Sequence, residues 1–166
     1  MTANHVCNSD AYTLTEVAMP TSTRFAVAVH ILTALAVSDG KPMRSEDLAY
    51  SANTSAVVIR GLLSRLIDAG LTRSQLGAGG GALLAKAAEN IRLLDVYEAV
   101  EDTELFSLHR TPPCENCAVG GNILEAMQPV LARARTALET ELAKSSVADI
   151  AAEVARLGKF SVPLVW

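Results

Sequence analysis

Residues 45–70 encode a short helix, a tight turn and a longer helix, and no other feature of the chain constrains its fold as strongly. The stretch SEDLAYS places two acidic residues in a first helical turn, where they interact favourably with the helix dipole. Asn53-Thr54-Ser55 is typical of a turn and a helix cap, and AVVIRGLLSRLIDAG then repeats apolar residues at helical spacing up to Gly70. Two helices joined by so few residues predict a helix-turn-helix.

The second helix of this pair is predicted to bury one face and expose the other. Five aliphatic residues at helical spacing form the face expected in the core: Ile59, Leu62, Leu63, Leu66 and Ile67. The opposite face is narrow and carries one arginine: Val57, Arg60, Gly61, Ser64 and Asp68. Such a face enters a groove without steric conflict, and the second helix of a helix-turn-helix lies in the major groove. The pattern therefore predicts contact with duplex DNA.

Four glycines occupy five consecutive positions in RSQLGAGGGALLA, residues 73–85. The flanking segments LTRSQ and ALLAK are candidate strands, and glycine supplies the positive φ angles of a tight hairpin. A hairpin after three helices indicates a winged helix-turn-helix. In this interpretation the wing approaches the DNA backbone, with Arg73 and Gln75 as phosphate donors and Gly79 permitting close approach of the main chain.

Two other interpretations of the glycine cluster stay open from the residues alone. One is a plain structural hairpin. The other is a nucleotide-binding loop, because GAGGGA fits the dinucleotide pattern that ends in alanine. LTRSQL is too polar for the buried strand that precedes such a loop, and no Lys-Ser or Lys-Thr pair closes a P-loop. Since no nucleophile–base set or paired carboxylates stand out either, we expect that the protein is not an enzyme.

Further helices are predicted on both sides of this region. TRFAVAVHILTALAV is apolar nearly all round and so buried, with Thr23 as a possible cap, and RLLDVYEAVEDTEL forms another helix. The longest periodic segment, residues 121–144, has an apolar stripe at helical spacing: Ile123, Met127, Val130, Ala134, Leu138 and Leu142. A stripe of this length favours pairing with a second copy, and Pro129 predicts a kink or a restart. SVADIAAEVARL is expected to add a short helix against the same region.

These elements predict a mainly α protein with a small β-hairpin wing, a winged helix-turn-helix followed by a long C-terminal dimerisation helix. The formal net charge is −4, but residues 24–92 hold eight Lys/Arg and five Asp/Glu, a balance of +3, against six and thirteen elsewhere, a balance of −7. A basic segment within an acidic chain indicates a polyanionic partner. No apolar run approaches the ~20 residues of a membrane span, and no signal peptide is visible. We therefore expect a cytoplasmic protein with reduced cysteines and no membrane partner.

Four segments together resemble the Rrf2 family of bacterial winged-helix transcription regulators. They are RFAVAVHILTALA, SEDLAYSANTSAVVIRGLLSRLIDAGLTRSQLGAGGGALLA, IRLLDVYEAVE and LFSLHRTPPCENCAVGGNI, and they span residues 19–126. The resemblance implies a homodimer that binds a near-palindromic operator, usually as a repressor. Residues 1–18 show no periodicity and are expected to form a flexible tail. Together with the resemblance, the pattern predicts a DNA-binding domain (19–102), a sensor-type loop (103–120), and a dimerisation helix with a C-terminal element (121–166).

The resemblance also transfers DNA contacts to particular residues. The start of the reading helix corresponds to Ser55, Val57, Val58, Arg60 and Gly61, and Arg65 is a further candidate. For both arginines the alternative is a solvated helix face. The wing departs from the family pattern, because Leu76 stands where an arginine often precedes the glycines. That departure weakens any prediction that the wing reads the minor groove.

The sequence leaves several roles open for Cys114 and Cys117, which form a C-x-x-C pair. Cluster-binding members of the family have three cysteines and a histidine here, whereas this chain matches only Cys117 and has Gly120 at the histidine position. We therefore expect no cofactor, although an iron–sulfur cluster, or zinc bound with His109, remains an alternative. The favoured interpretation is a redox-active pair, and the remaining one is two inert thiols. Cys7 is expected to be incidental.

The sequence thus predicts a homodimeric DNA-binding regulator, with thiol redox control at Cys114 and Cys117. One alternative is a winged-helix module that binds proteins and not DNA. Others are a regulator controlled by an iron–sulfur cluster or a small ligand, and a nucleotide-binding enzyme. His30, inside an apolar helix, is expected to be a hydrogen-bonded core histidine rather than a metal ligand.

Overall fold

A computed structural model describes residues 22–38, 40–101, 106, 108–109 and 111–162. The described elements are α1 (Arg24–Val37), α2 (Ser45–Ser51), α3 (Ala56–Asp68), β1 (Thr72–Gln75), β2 (Gly81–Leu84), a 3₁₀ turn (Ala88–Asn90), α4 (Leu93–Val100), α5 (Ile123–Leu142) and α6 (Val147–Gly158). The predicted tail of residues 1–18, with Cys7, lies outside the described residues. No helix in the described part of the chain is long and apolar enough to cross a membrane.

The core forms around α1, as its all-round apolar sequence predicts. Ile31 and Leu32 are fully buried and cluster with Ile59 of α3 and Val96 of α4. Burying each such aliphatic side chain contributes about 1.5–3 kcal/mol, so this cluster fixes the positions of the helices around α1. Thr23 occupies the N-cap of α1 without a side-chain capping bond. The carboxylate of Glu101 instead accepts from the backbone N–H of Phe25 at 3.0 Å.

The helix-turn-helix has the predicted order, with α2 and α3 joined at Asn53, whose φ of 48° is left-handed. Ser55 is the N-cap of α3, and its hydroxyl accepts from the N–H of Val58 at 3.3 Å. Gly70 follows α3 with a φ of 68°, as expected of a C-terminal glycine. The prediction for Ile67 is wrong: its side chain is 40% exposed, because it lies at the edge of the apolar face and not within it.

The glycine cluster is the tip and base of a two-stranded hairpin. β1 and β2 pair antiparallel, and Gly77 and Gly79 have φ values of 97° and 79° in the connecting turn. Gly81 allows close packing, since a Cβ there would collide with the backbone of Met43. Met43 in turn exchanges two backbone hydrogen bonds with Ala82, at 2.8 and 3.1 Å. The chain continues from the glycines into a strand and not a helix, which excludes the nucleotide-binding loop.

The C-terminal part differs from the prediction in two respects. α5 runs without a break through Pro129, so of the two outcomes predicted there, a kink or a restart, the restart does not occur. α6 packs against α1, whereas the sequence predicts it beside the long helix. Val147 of α6 is fully buried in the core. A capping box between Ser146 and Asp149 starts α6 at the predicted place. The predicted fold class, mainly α with a small hairpin wing, is confirmed.

Candidate nucleic-acid interface

The outward face of α3 is largely exposed in the described chain. Val57 is 74% exposed and Val58 45% exposed, both in the first turn of the helix. Gly61 continues this face one turn later, and no heavy atom lies within 4 Å of the position that its Cβ would occupy. Ser55 is exposed at the same end, with its hydroxyl engaged in the cap. Small side chains at the amino end of an exposed helix leave its backbone accessible to a groove-shaped partner.

Arg60 lies on this exposed surface but has a protein partner. Its guanidinium group forms an ion pair with the carboxylate of Glu46 in α2, and both side chains are more than half exposed. An exposed pair of this kind contributes little, about 0–1 kcal/mol, because water screens it. A phosphate or a guanine edge can therefore compete with Glu46 for the arginine.

Arg65 has a different environment from Arg60. Its Nη1 donates to the backbone carbonyl of Val100 at 3.0 Å, which joins α3 to the last residue of α4. This bond supplies a partner to a carbonyl in the last turn of a helix, where no intrahelical donor is available. The structure therefore places the Arg65 guanidinium against the body of the protein, apart from the Val57 surface.

The wing places Arg73 and Gln75 on β1, where both are exposed. β1 packs against α3 and begins two residues after Gly70, so the strand and α3 are neighbours. Leu76, at the end of β1, is 92% exposed. Gly79 is in the turn with open space around it.

Sequence reasoning did not single out two exposed basic residues, Lys41 and Arg44. Arg44 is the N-cap of α2 and follows Met43, the residue that bridges to Ala82 of the wing. It therefore lies between α2 and the wing, a position that only the Met43 bridge reveals. The sequence signal that could have identified both residues is the positive charge balance of residues 24–92, to which they contribute.

The two loop cysteines lie close together at the start of α5. Both are free and exposed, and the N–H of Cys117 donates to the carbonyl of Cys114 at 3.2 Å, which closes a four-residue turn. The backbone N–H groups of Gly120 and then Val119 lower the pKa of the Cys117 thiol, against a small opposing effect of burial. A Cβ at Gly120 would collide with the Cys114 carbonyl oxygen, so the loop is tightly folded.

The donor set does not fit a metal centre. Nowhere in the described part of the chain do three His, Cys, Asp or Glu side chains come together in a way that could hold a metal ion. His109, the predicted third zinc ligand, lines a cleft with Met127 and Leu131 on the side of α5. Two thiols alone supply half of a tetrahedral zinc site or of a cluster's usual four ligands.

Comparisons with known proteins agree on the type of protein. The family model of Rrf2, described as an iron-dependent transcriptional regulator, matches residues 21–153. YwnA of Bacillus subtilis strain 168, assigned as an HTH-type transcriptional regulator, is 38% identical over 130 residues, which cover 78% of this chain and 95% of YwnA. A crystal structure of a protein assigned as DNA-binding has 37% identity and a TM-score of 0.62, and the match covers 76% of this chain and 97% of that one. The oxidized form of Staphylococcus aureus CymR has 26% identity and a TM-score of 0.60 over 80% and 96% of the two chains.

Proposed function

This chain belongs to the Rrf2 family of transcriptional regulators, and on that premise we propose that it is a homodimeric repressor that binds a near-palindromic DNA operator. The family consists of transcription regulators and not of enzymes, and DNA is their partner. The observation that carries the proposal is the uncovered, small-residue face of α3 with Arg60 on it. A regulator acts where the chromosome is, so its proposed compartment is the cytoplasm.

We assign the DNA contacts to two groups of residues. In the major groove, Arg60 exchanges Glu46 for a guanine edge, Val57 and Val58 contact thymine methyl groups, and Gly61 allows the helix to approach. The phosphate backbone of the DNA is contacted by residues of the wing and of the start of α3: Ser55, Arg73, Gln75 and Gly79. Arg44 joins the backbone group because of its place beside the wing. We assign Arg65 to positioning α3 rather than to DNA contact, because its guanidinium donates to the Val100 carbonyl.

The proposed dimer rests on α5. None of its residues is buried, although it carries an apolar stripe in which Met127 is 36% and Val130 54% exposed. A helix of 20 residues is about 30 Å long and is stable when an apolar face is covered. A second copy would cover the stripe and set the two α3 helices about 34 Å apart, one turn of DNA. We therefore assign residues 22–101 together with α6 to the DNA-binding body, and α5 to dimerisation.

We further propose that oxidation of Cys114 and Cys117 controls DNA binding. The turn between them brings their Cα atoms within about 7 Å, which suits a disulfide. The Cys117 thiolate attacks hydrogen peroxide to give a sulfenic acid and hydroxide, and the Cys114 thiol then displaces water from the sulfenic acid to form the disulfide. Because Gly120 packs on the Cys114 backbone, a new bond at Cys114 would disturb the turn that precedes α5.

Selection of bound sequences from random duplex DNA tests the DNA-binding proposal. We expect a near-palindrome with half-sites one helical turn apart. Arg60→Ala should lower affinity for the selected operator at least tenfold, since a bidentate arginine–guanine contact contributes about 1–3 kcal/mol of discrimination. Arg156→Ala is the matched control, because Arg156 is also exposed and paired with a nearby carboxylate, that of Glu153. Equal operator affinity of the two variants in a gel-shift titration would refute the assignment of Arg60.

The redox proposal has a separate test. Treatment of the protein with hydrogen peroxide should lower its mass by two hydrogen atoms for each disulfide, and peptide mapping should join Cys114 to Cys117. Operator affinity should fall on oxidation and recover with dithiothreitol. Cys114→Ser should leave a sulfenic acid at Cys117 and no intramolecular bridge. If the protein binds its operator with the same affinity before and after the disulfide forms, the redox proposal is contradicted.

A further inference from the structure

A cavity of about 420 Å³ lies between α1 and α6, and none of its lining residues belongs to α3 or the wing. One face of α1 forms its longest wall. α6 contributes Ile150 and Val154, and Ser51 and Phe160 complete the lining. The volume falls within the roughly 300–1,000 Å³ typical of small-molecule sites.

The cavity is formed by particular local structures. Ala26 and Ala34 are the small residues on the α1 wall, and they leave the space that larger side chains would fill. On the other side, Lys159 takes a left-handed conformation with a φ of 55°, which turns the chain back after α6. The N–H of Phe160 then donates to the carbonyl of Ala155 at 3.1 Å. Gly158 lies beneath the Phe160 ring, since a Cβ there would come within 2.7 Å of it.

The polar groups of the cavity are few and uncharged. Thr33 is only 7% exposed, and its hydroxyl has no hydrogen-bond partner among the residues that the structure describes. Buried hydroxyl groups without a partner are uncommon in proteins. His30 Nε2 and Ser51 Oγ are 2.9 Å apart, and burial lowers the pKa of His30, which favours the neutral ring. No Asp, Glu, Lys or Arg of the described chain lines the cavity.

We propose that this cavity binds a small, uncharged, largely apolar molecule with one hydroxyl or carbonyl group, and that Thr33 is the hydrogen-bond partner of that group. Rotation about the Cα–Cβ bond of Thr33 turns its hydroxyl towards the ligand. The cavity volume of about 420 Å³ is of the size that holds two fused rings. Ser51 ends α2, and α6 follows α5 closely in the chain. A ligand here therefore touches both the helix-turn-helix and the helix that follows α5. A regulatory role for the ligand rests on the proposed function, whereas binding of the ligand itself does not.

The test is titration calorimetry of the full chain, without DNA, against three related probes. We expect 2-naphthol to bind once per chain, roughly five- to tenfold more tightly than naphthalene, which lacks the hydroxyl. Naphthalene-2-sulfonate should not bind, because nothing in the cavity compensates its charge. Thr33→Val should bind both neutral probes with equal affinity.

A filling variant tests the location. Ala26 is exposed, so Ala26→Leu projects into the cavity without straining the core, and it should abolish binding of 2-naphthol. Ala152→Leu makes the same change on the exposed side of α6 away from the cavity and should bind like the unmodified protein. Absence of binding to the unmodified protein, as when a second copy fills the cavity, would overturn the proposal. So would an unchanged preference for 2-naphthol in Thr33→Val, or full binding in Ala26→Leu.

Discussion

Arg60 and Arg65 lie five positions apart on α3, and their different partners assign them different roles. Arg60 is paired only with the exposed carboxylate of Glu46, while Arg65 donates to the carbonyl of Val100 at the end of α4. A helical wheel shows that both can point away from the core, but it does not show which one finds a carbonyl within reach. The sequence therefore identified two exposed arginines and could not separate their functions.

Arg65→Ala should destabilise the protein without weakening its contacts to DNA. Loss of the bond to the Val100 carbonyl should lower the free energy of unfolding by about 1–2 kcal/mol, since a hydrogen bond from a charged donor is lost. Arg60→Ala is the control and should change stability by less than about 0.5 kcal/mol, because its ion pair is exposed. Urea denaturation measures both. A larger loss in Arg60→Ala than in Arg65→Ala would reverse the two roles.

Cys117 should react as a thiolate at lower pH than an ordinary cysteine. The N–H groups of Gly120 and Val119 stabilise its charged form and lower its pKa, so the thiolate fraction rises earlier as pH increases. Alkylation by iodoacetamide in a variant with Cys7→Ser and Cys114→Ser should therefore reach its plateau below the pH at which a free cysteine does. The same variant in concentrated urea should lose this shift, because the loop no longer holds the N–H groups near the sulfur. An identical pH profile in both states would show that the loop does not activate the thiol.

At the scale of elements, α3 carries a glycine in the middle of a helix. Glycine at such a position costs about 0.5–1 kcal/mol relative to alanine, and around Gly61 there is open space. Packing within the described chain therefore does not explain its presence. The proposed close approach of α3 to a DNA groove would explain it.

Gly61→Ala should accordingly raise stability and lower DNA affinity together. The midpoint of thermal unfolding should increase by a few degrees, corresponding to about 0.5–1 kcal/mol. Operator affinity should fall, since the added methyl group separates the helix from the base edges. Ser64→Ala, one turn further along the same face, serves as the control because it adds no volume. If Gly61→Ala gains stability and keeps full affinity, α3 does not approach DNA along this face.

The local sequence pattern predicted the positions of helices and strands better than it predicted which of them pack together. The spacing of apolar residues located α3, the glycines located the hairpin, and the segment SVADIAAEVARL located α6. The packing of α6 on α1 depends on a chain return at Ser145–Val147, where backbone bonds join Leu93 to Ser145 and Val147 to Ile91. Backbone hydrogen bonds of this kind leave no recognisable pattern of side chains in the sequence. Pro129 failed as a break signal because a proline inside a helix removes one hydrogen bond, and the rest of a 20-residue helix can tolerate that loss.

At the scale of the whole molecule, the exposed stripe of α5 and the single α3 of each chain require the same explanation. One α3 contacts only a few base pairs, which is too little for a specific operator. Pairing through α5 would bury the stripe and double the number of base contacts in one step. The acidic charge outside residues 24–92 would then lie away from DNA, while the basic part faces it.

Val130→Glu should therefore convert the dimer to a monomer and abolish specific binding. Val130 is 54% exposed in the single chain, so the change leaves the fold intact and places a charge only in the interface between copies. Ala132→Glu adds the same charge to the exposed opposite side of α5 and should remain dimeric. Sedimentation velocity gives the assembly state, and gel shifts at two salt concentrations separate specific binding from the salt-sensitive attraction to any duplex. A dimeric Val130→Glu, or a monomer that binds the full operator as tightly as the unmodified protein, would contradict the role of α5.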